Sequence, residues 1–454
     1  MKKQNQNHNR ILMLLENLPF PQDLRVRREA YALTAVGYQV TVICHAAKGQ
    51  PSREIVNGVR VYRYPAPSVG NGFLAYVWEY AYSMAASAAL ALVAFFREGF
   101  EVIHAHNPPD MFVFIALFYK LFGKSFVYDH HDLAPEMYAA RFRGGGRSIV
   151  YRALVWLEKL SCRYADHVVV TNESYKKIAL ERGRVPETRI TIVRNGVDLN
   201  RVLVPVEPDP ALRQMGKTII GYVGVMGIQD GVDYLLRALH FLTHGLGRKD
   251  FFCVIVGFGD AVENLKALAQ ELGLQDCVRF IGPVFGQDLR RILTAADICV
   301  EPSPANPYTD HSTMVKIMEY MSLGKPIVAF DLPEHRFTAR GAAVYVTPND
   351  ERAFARALAK LMDDPSRRMA LGTCGSRRIK TQLAWEYSIP NLLAAYGKIL
   401  PAAGIAEPVL SCQPTPAMQT PQPPNADVNP QAGPPKDVLS PVREMEPKQT
   451  ARLA

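Results

Sequence analysis

The sequence predicts two successive α/β domains, each built on a parallel sheet with helices on both faces. Short β-rich runs alternate with helical patterns over residues 10–400, which is the pattern of parallel strands joined by crossover helices. A segment rich in Pro and charge separates an early set of strands from a late set. At 454 residues the chain is also too long for one ordinary core. Its 48% hydrophobic and 21% charged content is typical of a globular protein.

The first domain is predicted over residues 10–198, after a disordered stretch at 1–9. Its candidate strands are ILMLL, QVTVIC, VRVYRY, EVIHAH, SFVYD, HVVVT and ITIVRN. Residues 199–216 are predicted to be the linker. The second domain, 217–384, has the candidate strands TIIGYVG, FFCVIVG, CVRFIG, DICVEPS, PIVAFD and AAVYVTP. A final helix is predicted over 385–400, where it could cross back to the first domain.

Composition narrows the class of partner and the compartment. The net charge of +9 favours anionic partners such as phosphate groups or an acidic membrane surface. Zinc-finger spacing and Arg-rich helices are absent from the sequence, so no nucleic acid partner is expected. The seven cysteines lie far apart without a C-x-x-C pair, which favours buried thiols in the cytoplasm. The apolar run Ile11–Leu15 is too short for a signal peptide. Residues 401–454, rich in Pro, Gln and Ala, are predicted to be disordered and without catalytic role.

The segment Phe73–Arg97 is long and apolar enough to cross a membrane, and Glu79 alone breaks its apolar run. A long helix packed beneath a sheet is favoured, because strand-like runs flank the segment closely on both sides. A membrane span and a helix lying in the membrane interface are the alternatives.

Polar side chains follow the candidate strands of the first domain. Ligands bind beyond the carboxyl ends of parallel strands, so these residues are candidates for contact with a hydroxyl-bearing substrate. They are Glu16, Asn17, His106, Asn107, His130, His131, Asp132, Asn172, Glu173 and Asn195. A single strand-end His is more often structural, but the run YDHHDLAPE puts two imidazoles beside two carboxylates. Carboxylates in that position can orient a His and set its protonation.

Two glycine clusters in the second domain follow strands. TIIGYVGVMGIQDGVDYLLRAL places Gly221, Gly224, Gly227 and Gly231 before a helix, where backbone N–H groups can reach a phosphate. No G-K-[ST] follows, so this is not a Walker A loop. In VGFGDAV, Val262 replaces the third glycine of the dinucleotide fingerprint, which disfavours a nicotinamide dehydrogenase. Tight turns explain either cluster about equally well.

The stretch DHSTMVKIMEYMSLGKP predicts a helix over Ser312–Leu323 with an apolar stripe facing the core. Ser312, Lys316 and Glu319 share the opposite stripe. Backbone N–H groups and the hydroxyls of Ser312 and Thr313 can donate to phosphate oxygens, and Lys316 adds a positive charge. Glu319 can accept hydrogen bonds from the vicinal hydroxyls of a ribose. An i,i+3 salt bridge on a solvated face is the alternative.

EYMSLGKPIVAFD resembles the E-x-M-x-x-G-x-P-V-V segment of family-four retaining glycosyltransferases of the GT-B fold, of the bacterial polysaccharide or glycoconjugate type. Further matches, in order, are NLPFPQDLRVRREAYALTAVGYQVTVIC, VIHAHNPPD, DHHDL, TNESYKKIA, VRNGVDL, GYVGVMGIQDGVDYLLRAL, VIVGFGDAVENLKALAQELGL and RFIGPV. Together they cover roughly residues 10–400. The resemblance implies two Rossmann-like domains facing a cleft. It places the acceptor on the N-terminal domain and the nucleotide-sugar donor on the C-terminal one, and it implies neither a metal ion nor another cofactor.

The resemblance also carries individual residues over, and it shows departures. Glu319 corresponds to the second Glu of the E-x7-E motif, which binds the ribose, and His131 to the His near the donor sugar. The first Glu of that motif is His311 here. The phosphate-binding Arg and Lys of G-R-L-x-x-x-K-G fall on Val225 and Asp230, so two expected positive charges are missing.

The resulting prediction assigns catalytic roles to His131 and to Asp132, which orients it. The predicted donor-binding residues are Gly224, Gly227, Asp310, His311, Ser312, Thr313, Lys316 and Glu319. The acceptor-side candidates are Asn17, Arg25, His130, Asn172 and Glu173.

The predicted partners are a nucleotide-sugar donor and an acceptor glycan or lipid-linked sugar. The basic clusters RVRRE and RFRGGGRSIVYR, with the helix Phe73–Arg97, could dock an anionic bilayer at the inner face of the cell membrane. Ordinary solvated arginines are the alternative. A non-catalytic nucleotide-sugar-binding scaffold and an enzyme acting on the sugar nucleotide itself, such as an epimerase, are the competing functions.

Overall fold

The computed structural model describes residues 9–67, 73–141 and 148–400. The segments predicted to be disordered, 1–9 and 401–454, lie outside this part of the chain except for Asn9. Two separate parallel sheets form the framework, which confirms the predicted fold class.

The first sheet has eight strands in the order β3-β4-β2-β1-β5-β6-β7-β8, and only β3 runs antiparallel to its neighbour. The strands are β1 Arg10–Leu14, β2 Gln39–His45, β3 Arg53–Val56, β4 Val59–Tyr64, β5 Val102–His106, β6 Ser125–His130, β7 His167–Val170 and β8 Ile190–Ile192. The sequence predicted all of these except β3. That strand is short, lies at the sheet edge and has no buried side chain, so it lacks the apolar run of the others.

Helices cover both faces of the first sheet. They are α1 Leu24–Ala35, α2 Phe73–Arg97, α3 Phe112–Lys120, α4 Ala134–Arg141, α5 Ile149–Tyr164 and α6 Glu173–Glu181. The core on one face includes side chains of α2, α3, α5 and α6, and the core on the other includes those of α1. Two short helices, α7 Leu199–Leu203 and α8 Pro210–Arg213, follow β8.

The second sheet has six parallel strands in the order β11-β10-β9-β12-β13-β14. In chain order this is 3-2-1-4-5-6, the doubly wound arrangement of nucleotide-binding domains. The strands are β9 Thr218–Val225, β10 Phe251–Phe258, β11 Val278–Gly282, β12 Ile298–Glu301, β13 Ile327–Phe330 and β14 Ala343–Val346. The α-helices that follow α8 in the chain are α9 Val232–His240, α10 Val262–Glu271, α11 Gly286–Ala295, α12 Val315–Ser322, α13 Pro333–Ala339, α14 Glu351–Met362, α15 Pro365–Arg378 and α16 Ile389–Ile399.

The last helix, α16, packs on the first sheet beside α1. Its Leu392 and Tyr396 side chains belong to the core of the first domain. The Tyr396 hydroxyl lies 2.9 Å from Nδ1 of the buried His104, and Asn391 donates to the carbonyl of Ile192 at 3.0 Å. The chain therefore starts and ends its described part in the same domain.

The helix that carries Lys316 begins later than the sequence predicts. It begins at Val315, with Met314 in an extended conformation before it, and not at Ser312. The Ser312 hydroxyl donates to the carbonyl of Tyr308 at 2.8 Å, and the Ser312 N–H donates to the carbonyl of Thr309. These local bonds hold the preceding residues in turns, as short polar side chains often do.

Candidate active site

The carboxyl edges of the two sheets face each other, and side chains bridge the gap. Asn172, which follows β7, donates to the His311 carbonyl at 2.8 Å and to Thr313 Oγ1 at 2.9 Å. Ser174 donates to Glu334 Oε1 at 2.8 Å. The Asn172 amide oxygen accepts the N–H of Tyr175 and caps α6. Every polar atom of the buried Asn172 side chain is therefore engaged, and the residue joins the two domains. This corrects the prediction that Asn172 contacts the acceptor.

Lys316 lies on the second-domain side of this cleft, at the start of α12. Its Nζ is 3.2 Å from the Tyr222 hydroxyl, 3.3 Å from Glu301 Oε2 and 3.8 Å from Asp230 Oδ1. A Cβ on Gly224 would lie 3.2 Å from the same Nζ, so the glycine leaves room for the lysine beside the end of β9.

The carboxylates around Lys316 keep it charged. Burial by itself lowers the pKa of Lys316, but the attraction of Glu301 and the neighbouring Tyr222 and Asp230 raises it above the usual value. Glu301 is fully buried, and Lys316 is the cation that lies beside it. Lys316 is therefore a permanent cation, shared between two acids before any ligand binds.

Asp230 occupies the position where the resemblance places a phosphate-binding Lys. Its Oδ2 accepts the N–H of Gly227 at 3.0 Å and closes the loop after β9. Burial raises the pKa of Asp230, while Lys316 opposes that rise. The Gly227 N–H, which the sequence predicts to donate to a phosphate, thus already donates to the Asp230 carboxylate.

The hydroxyls of Ser312 and Thr313 are also engaged. Ser312 is buried and donates to Tyr308, as described above. Thr313 donates to Glu334 Oε2 at 3.2 Å and accepts from Asn172. Contrary to the prediction, neither hydroxyl has a free hydrogen for a phosphate. The donors that remain here are the N–H groups of Val315 and Lys316 at the start of α12 and the Lys316 ammonium, because the Ile317 N–H already donates to the Met314 carbonyl at 3.1 Å.

Glu319, one turn further along α12, is a free acceptor. It is half-buried, and its carboxylate makes no hydrogen bond or ion pair with any residue that the structure describes. Burial raises the pKa of Glu319, and the nearby cations Arg28, Lys316 and Arg201 oppose the rise. Arg28 comes from α1, so cations of both domains approach this carboxylate.

His131 lies opposite, on the first-domain side, directly after β6. Its Nδ1 is 3.5 Å from Asp129 Oδ1, and this contact corrects the prediction that Asp132 orients the ring. Burial lowers the pKa of His131, but the attraction of Asp129 outweighs it and raises the pKa above 6.5. Asn107 Oδ1 accepts the N–H groups of both His131 and Asp132, at 2.9 and 3.0 Å, and fixes the loop. The sequence contained this signal, because Asp129 precedes His131 by two and such residues share a strand face.

Asp129 is the centre of a buried polar cluster. Arg25 donates to both of its oxygens at 2.8 Å, and His106 Nδ1 is 2.9 Å from Oδ2. Arg25 was predicted to contact the acceptor, but it is buried and also lies 3.2 Å from Glu29. Its guanidinium holds the pKa of Asp129 well below the usual value, although burial opposes this.

The same cluster has the donor set of a metal site. One atom each of Glu29, His104, His106 and Asp129 lie within 4.8 Å of one another, close enough to share a metal ion. The guanidinium of Arg25, however, already contacts both carboxylates. A cation of the chain itself therefore already lies in this cluster, and burial together with Asp129 raises the pKa of Glu29 well above its usual value.

The other predicted residues fall in three places. His130 is fully buried, stacks on Tyr128 and lies 3.5 Å from Glu158, because strand alternation turns it away from His131. It cannot reach an acceptor. Asn17, after β1, is half-buried, and Glu173 is exposed at the start of α6. Asp310 and His311 line a cavity of about 570 Å³ together with residues of α6 and of the loop after β13.

Two doubly wound domains whose strand ends face one cleft define the GT-B architecture. Comparisons with known proteins support this architecture. The family described as Glycosyltransferase Family 4 matches residues 24–201, and the family described as Glycosyl transferases group 1 matches residues 217–364. An uncharacterized glycosyltransferase of Methanocaldococcus jannaschii is 25% identical over 372 residues, covering 79% of this chain and 89% of that protein.

Solved structures show the same fold. Sucrose-phosphate synthase from Thermosynechococcus elongatus superposes with a TM-score of 0.72 at 20% identity, covering 87% of this chain and all of that one. HepE from Anabaena in complex with UDP-glucose has a TM-score of 0.65 at 16% identity, with 86% of this chain and all of that one covered. The chain belongs to glycosyltransferase family 4 and is a glycosyltransferase with the GT-B fold.

Proposed function

We propose that the protein transfers a sugar from a nucleotide-diphosphate sugar to an acceptor hydroxyl with retention of anomeric configuration. The observation that carries this proposal is the start of α12, which holds a cation and a free carboxylate one turn apart on the cleft. Lys316 is the cation and Glu319 the carboxylate. The related fold of HepE holds UDP-glucose, which supports a donor of this class.

The donor fits this helix start in one orientation. Its diphosphate lies at the first-turn N–H groups of α12 and at Lys316, next to Gly224. Its ribose hydroxyls donate to Glu319. Lys316 gives up Asp230, the more distant of its two carboxylates, when the diphosphate arrives.

Further positive charge comes from outside the glycine loop. Arg28 on α1 and Arg201 on α7 are both close enough to act on the charge of Glu319. We assign to them part of the positive charge that Val225 and Asp230 do not supply. With these groups around the leaving diphosphate, the reaction needs no metal ion and no other cofactor.

In the transfer step the bond between the anomeric carbon and the diphosphate breaks, and the acceptor oxygen attacks from the same face. The acceptor proton passes to the leaving diphosphate. His131, whose charged form Asp129 favours and whose N–H is held by Asn107, binds the donor sugar at the opposite wall of the cleft. No side chain of the described cleft is assigned as a nucleophile.

The acceptor is proposed to be a glycan or a lipid-linked sugar, in polysaccharide or glycolipid biosynthesis. Asn17 and Glu173, neither of them buried, remain the acceptor-side candidates of the first domain. We place the protein in the cytoplasm with peripheral contact at the inner face of the cell membrane.

A panel of nucleotide-sugars tested by thermal shift identifies the donor, because a ligand that binds the native state raises the Tm. The Glu319→Gln variant is the matched control, since it keeps the shape of the side chain and removes its charge. We expect one donor to raise the Tm of the wild type and to raise that of the variant much less. Equal shifts in both proteins would contradict the ribose assignment.

A second candidate function is a non-catalytic nucleotide-sugar-binding scaffold, which the carboxylate of Asp230 at the phosphate loop favours. Product analysis with the identified donor and extracted lipid acceptors separates the two. A scaffold binds the donor and forms no product. Consumption of the donor without any acceptor would instead indicate an enzyme that acts on the sugar nucleotide itself.

A further inference from the structure

The first domain exposes an unusual amount of apolar surface on one side. Of the 21 large hydrophobic side chains that are exposed in the described part of the chain, 12 lie on α2, α5, and α3 with the turn that ends it. They are Val77, Trp78, Leu92, Val93, Phe96, Phe114, Phe118, Leu121, Phe122, Ile149, Trp156 and Tyr164. We call this surface the α2–α3–α5 face.

The three helices make one continuous surface. The Phe95 ring of α2 lies 6.0 Å from the Phe122 ring after α3, and the Phe114 ring of α3 lies 6.4 Å from Trp156 of α5. Soluble monomers rarely expose contiguous apolar patches of this kind unless they bind something.

Helix α2 contributes a stripe without polar groups. Every exposed side chain from Val77 to Phe96 is apolar, and together they form a stripe about 30 Å long at 1.5 Å per residue. The opposite side of the helix is packed on the sheet, where Ser83, Ser87 and Ala91 are fully buried. The prediction of a helix beneath a sheet is therefore right for one side only.

The packing decides against a membrane span. By length and composition α2 is the one described helix that could cross a membrane, which alone is weak evidence. Its Ala91 and Ala94 belong to the core that also contains Phe100 and Tyr64. If α2 crossed a membrane, Ala91 and Ala94 would have to leave the core of the first domain. Contact with a membrane surface through the exposed side of α2 leaves that core intact.

Basic groups accompany the apolar ones. On α5, Arg152, Trp156, Lys159 and Arg163 are all exposed at spacings of four, three and four residues, so they share one side of the helix. On α5, and among the α2 side chains that the structure describes, every exposed charged side chain is a cation. An aromatic side chain among cations is the pattern of helices that lie in the interface of an anionic bilayer.

We propose that the α2–α3–α5 face docks the protein on an anionic phospholipid bilayer. The proposal says which surface makes the membrane contact of the proposed function. It rests on that membrane contact and not on the proposed transfer reaction. The clusters expected from the sequence differ from this surface: Arg25 is buried, and Arg143 and Arg147 lie outside the described residues. The face runs to the carboxyl edge of the sheet, because α2 follows the end of β4 and α3 follows the end of β5. A lipid-linked acceptor in that bilayer would thus meet the cleft.

Flotation with lipid vesicles tests the proposal on the full-length protein. Vesicles of phosphatidylcholine with phosphatidylglycerol are compared with vesicles of phosphatidylcholine alone, at low and at high salt. We expect binding to the anionic vesicles only. Trp156→Glu and Phe118→Glu should each weaken it about tenfold or more, and Lys159→Glu roughly fivefold. The control Met369→Glu changes an exposed apolar side chain of the second domain and should bind as the wild type does.

Two results would overturn the proposal. One is that the wild type does not bind the anionic vesicles, or that the Trp156→Glu and Phe118→Glu variants bind them as well as the wild type does. The other is a dimer in solution that the same changes convert to a monomer, since the face would then be an interface between copies of this chain. Circular dichroism verifies that the variants fold. Transfer to a water-soluble acceptor should be unchanged in them, so a failure of membrane docking and a failure of the proposed transfer remain distinguishable.

Discussion

At the scale of single residues, Lys316 has two roles that a simple substitution would confuse. It is the proposed ligand of the diphosphate, and it is also the cation that neutralises the fully buried Glu301. Removing one partner of a buried ion pair costs about 3 kcal/mol or more, because the other charge is left without a partner.

Lys316→Ala should therefore reduce both the rate of transfer and the free energy of unfolding. Adding Glu301→Gln removes the stranded charge, so the double variant should regain much of the stability and none of the transfer activity. Thermal melts and product assays of Lys316→Ala, Glu301→Gln and the double variant measure this. Lys266→Ala, at an exposed lysine paired with Glu263, is the matched control and should change neither. Transfer activity that returned together with stability would contradict the ligand role.

His131 gives a prediction about pH. Because Asp129 raises the pKa of His131 above 6.5, the pair stabilises the native state fully below pH 6.5. This contribution is lost as the pH rises through the raised pKa. The Tm of the wild type minus that of His131→Gln should accordingly be largest below pH 6.5 and decrease above it. The exposed His244→Gln is the control. A difference that stays constant across this range would show that the two groups do not pair.

The sequence predicts which residues share one side of an element better than it predicts their contacts. A spacing of three residues puts Lys316 and Glu319 on the same side of α12, as the sequence predicts. The engagement of Ser312, Gly227 and Asp230 could not be foreseen, because each bond depends on where a loop closes and not on a period. His130 was misplaced for a reason that the sequence contained, since strand alternation sets it opposite to His131.

At the scale of elements, the end of β10 is shaped by a close approach to β9. Gly257 has φ of +144°, and a Cβ there would lie 1.8 Å from the Gly224 carbonyl oxygen. Gly224 in turn lies against Lys316. Gly224 and Gly257, on adjacent strands, therefore form the backbone surface beneath the proposed donor site.

Gly257→Ala should lower the free energy of unfolding by more than about 2 kcal/mol and weaken donor binding, because the clash displaces the Gly224 backbone. Denaturant unfolding and the thermal shift with the donor measure the two effects. Gly247→Ala is the control for the conformational part, since its φ is +68° and no atom lies within 4 Å of its Cβ. A Gly257→Ala protein with wild-type stability would contradict the packing described here.

Helices and strands were predictable where a period or an apolar run extends over a whole element. The strands β1, β2 and β9 are buried runs of this kind. The edge strand β3 lacked such a run, and the start of α12 was set by turn bonds of Ser312 that compete with helix formation. Helix α2 shows a third limit, because its composition alone did not reveal that one side packs while the other stays exposed.

At the scale of the whole molecule, the last helix ties the end of the described chain to the first domain. Helix α16 fills the face beside α1 through Leu392 and Tyr396, and Tyr396 reaches the buried His104. The first domain thus depends on residues that follow the second one in the chain.

A chain that ends after Leu383 should lose stability in the first domain, since the core beside α1 would be open to water. A chain that ends after Leu400 keeps α16 and is the control. Hydrogen exchange resolved by peptide should show lost protection in β7 and β8 of the shorter chain only. Equal protection in both chains would mean that α16 is not needed for the first domain.

The two-domain plan could be predicted because it repeats one pattern of strand and helix twice. The relation between the domains could not, since contacts such as Asn172 to Thr313 and Ser174 to Glu334 join residues far apart in the sequence. These contacts bring the start of α12 opposite His131, and they define the cleft on which the proposed function depends.

The most direct test is a crystal structure of the protein with the donor that the thermal-shift panel identifies. We expect the diphosphate to lie against the first N–H groups of α12 and the Lys316 ammonium, with both ribose hydroxyls donating to Glu319. A donor bound with its diphosphate away from this helix, and with Glu319 in contact only with water, would contradict it.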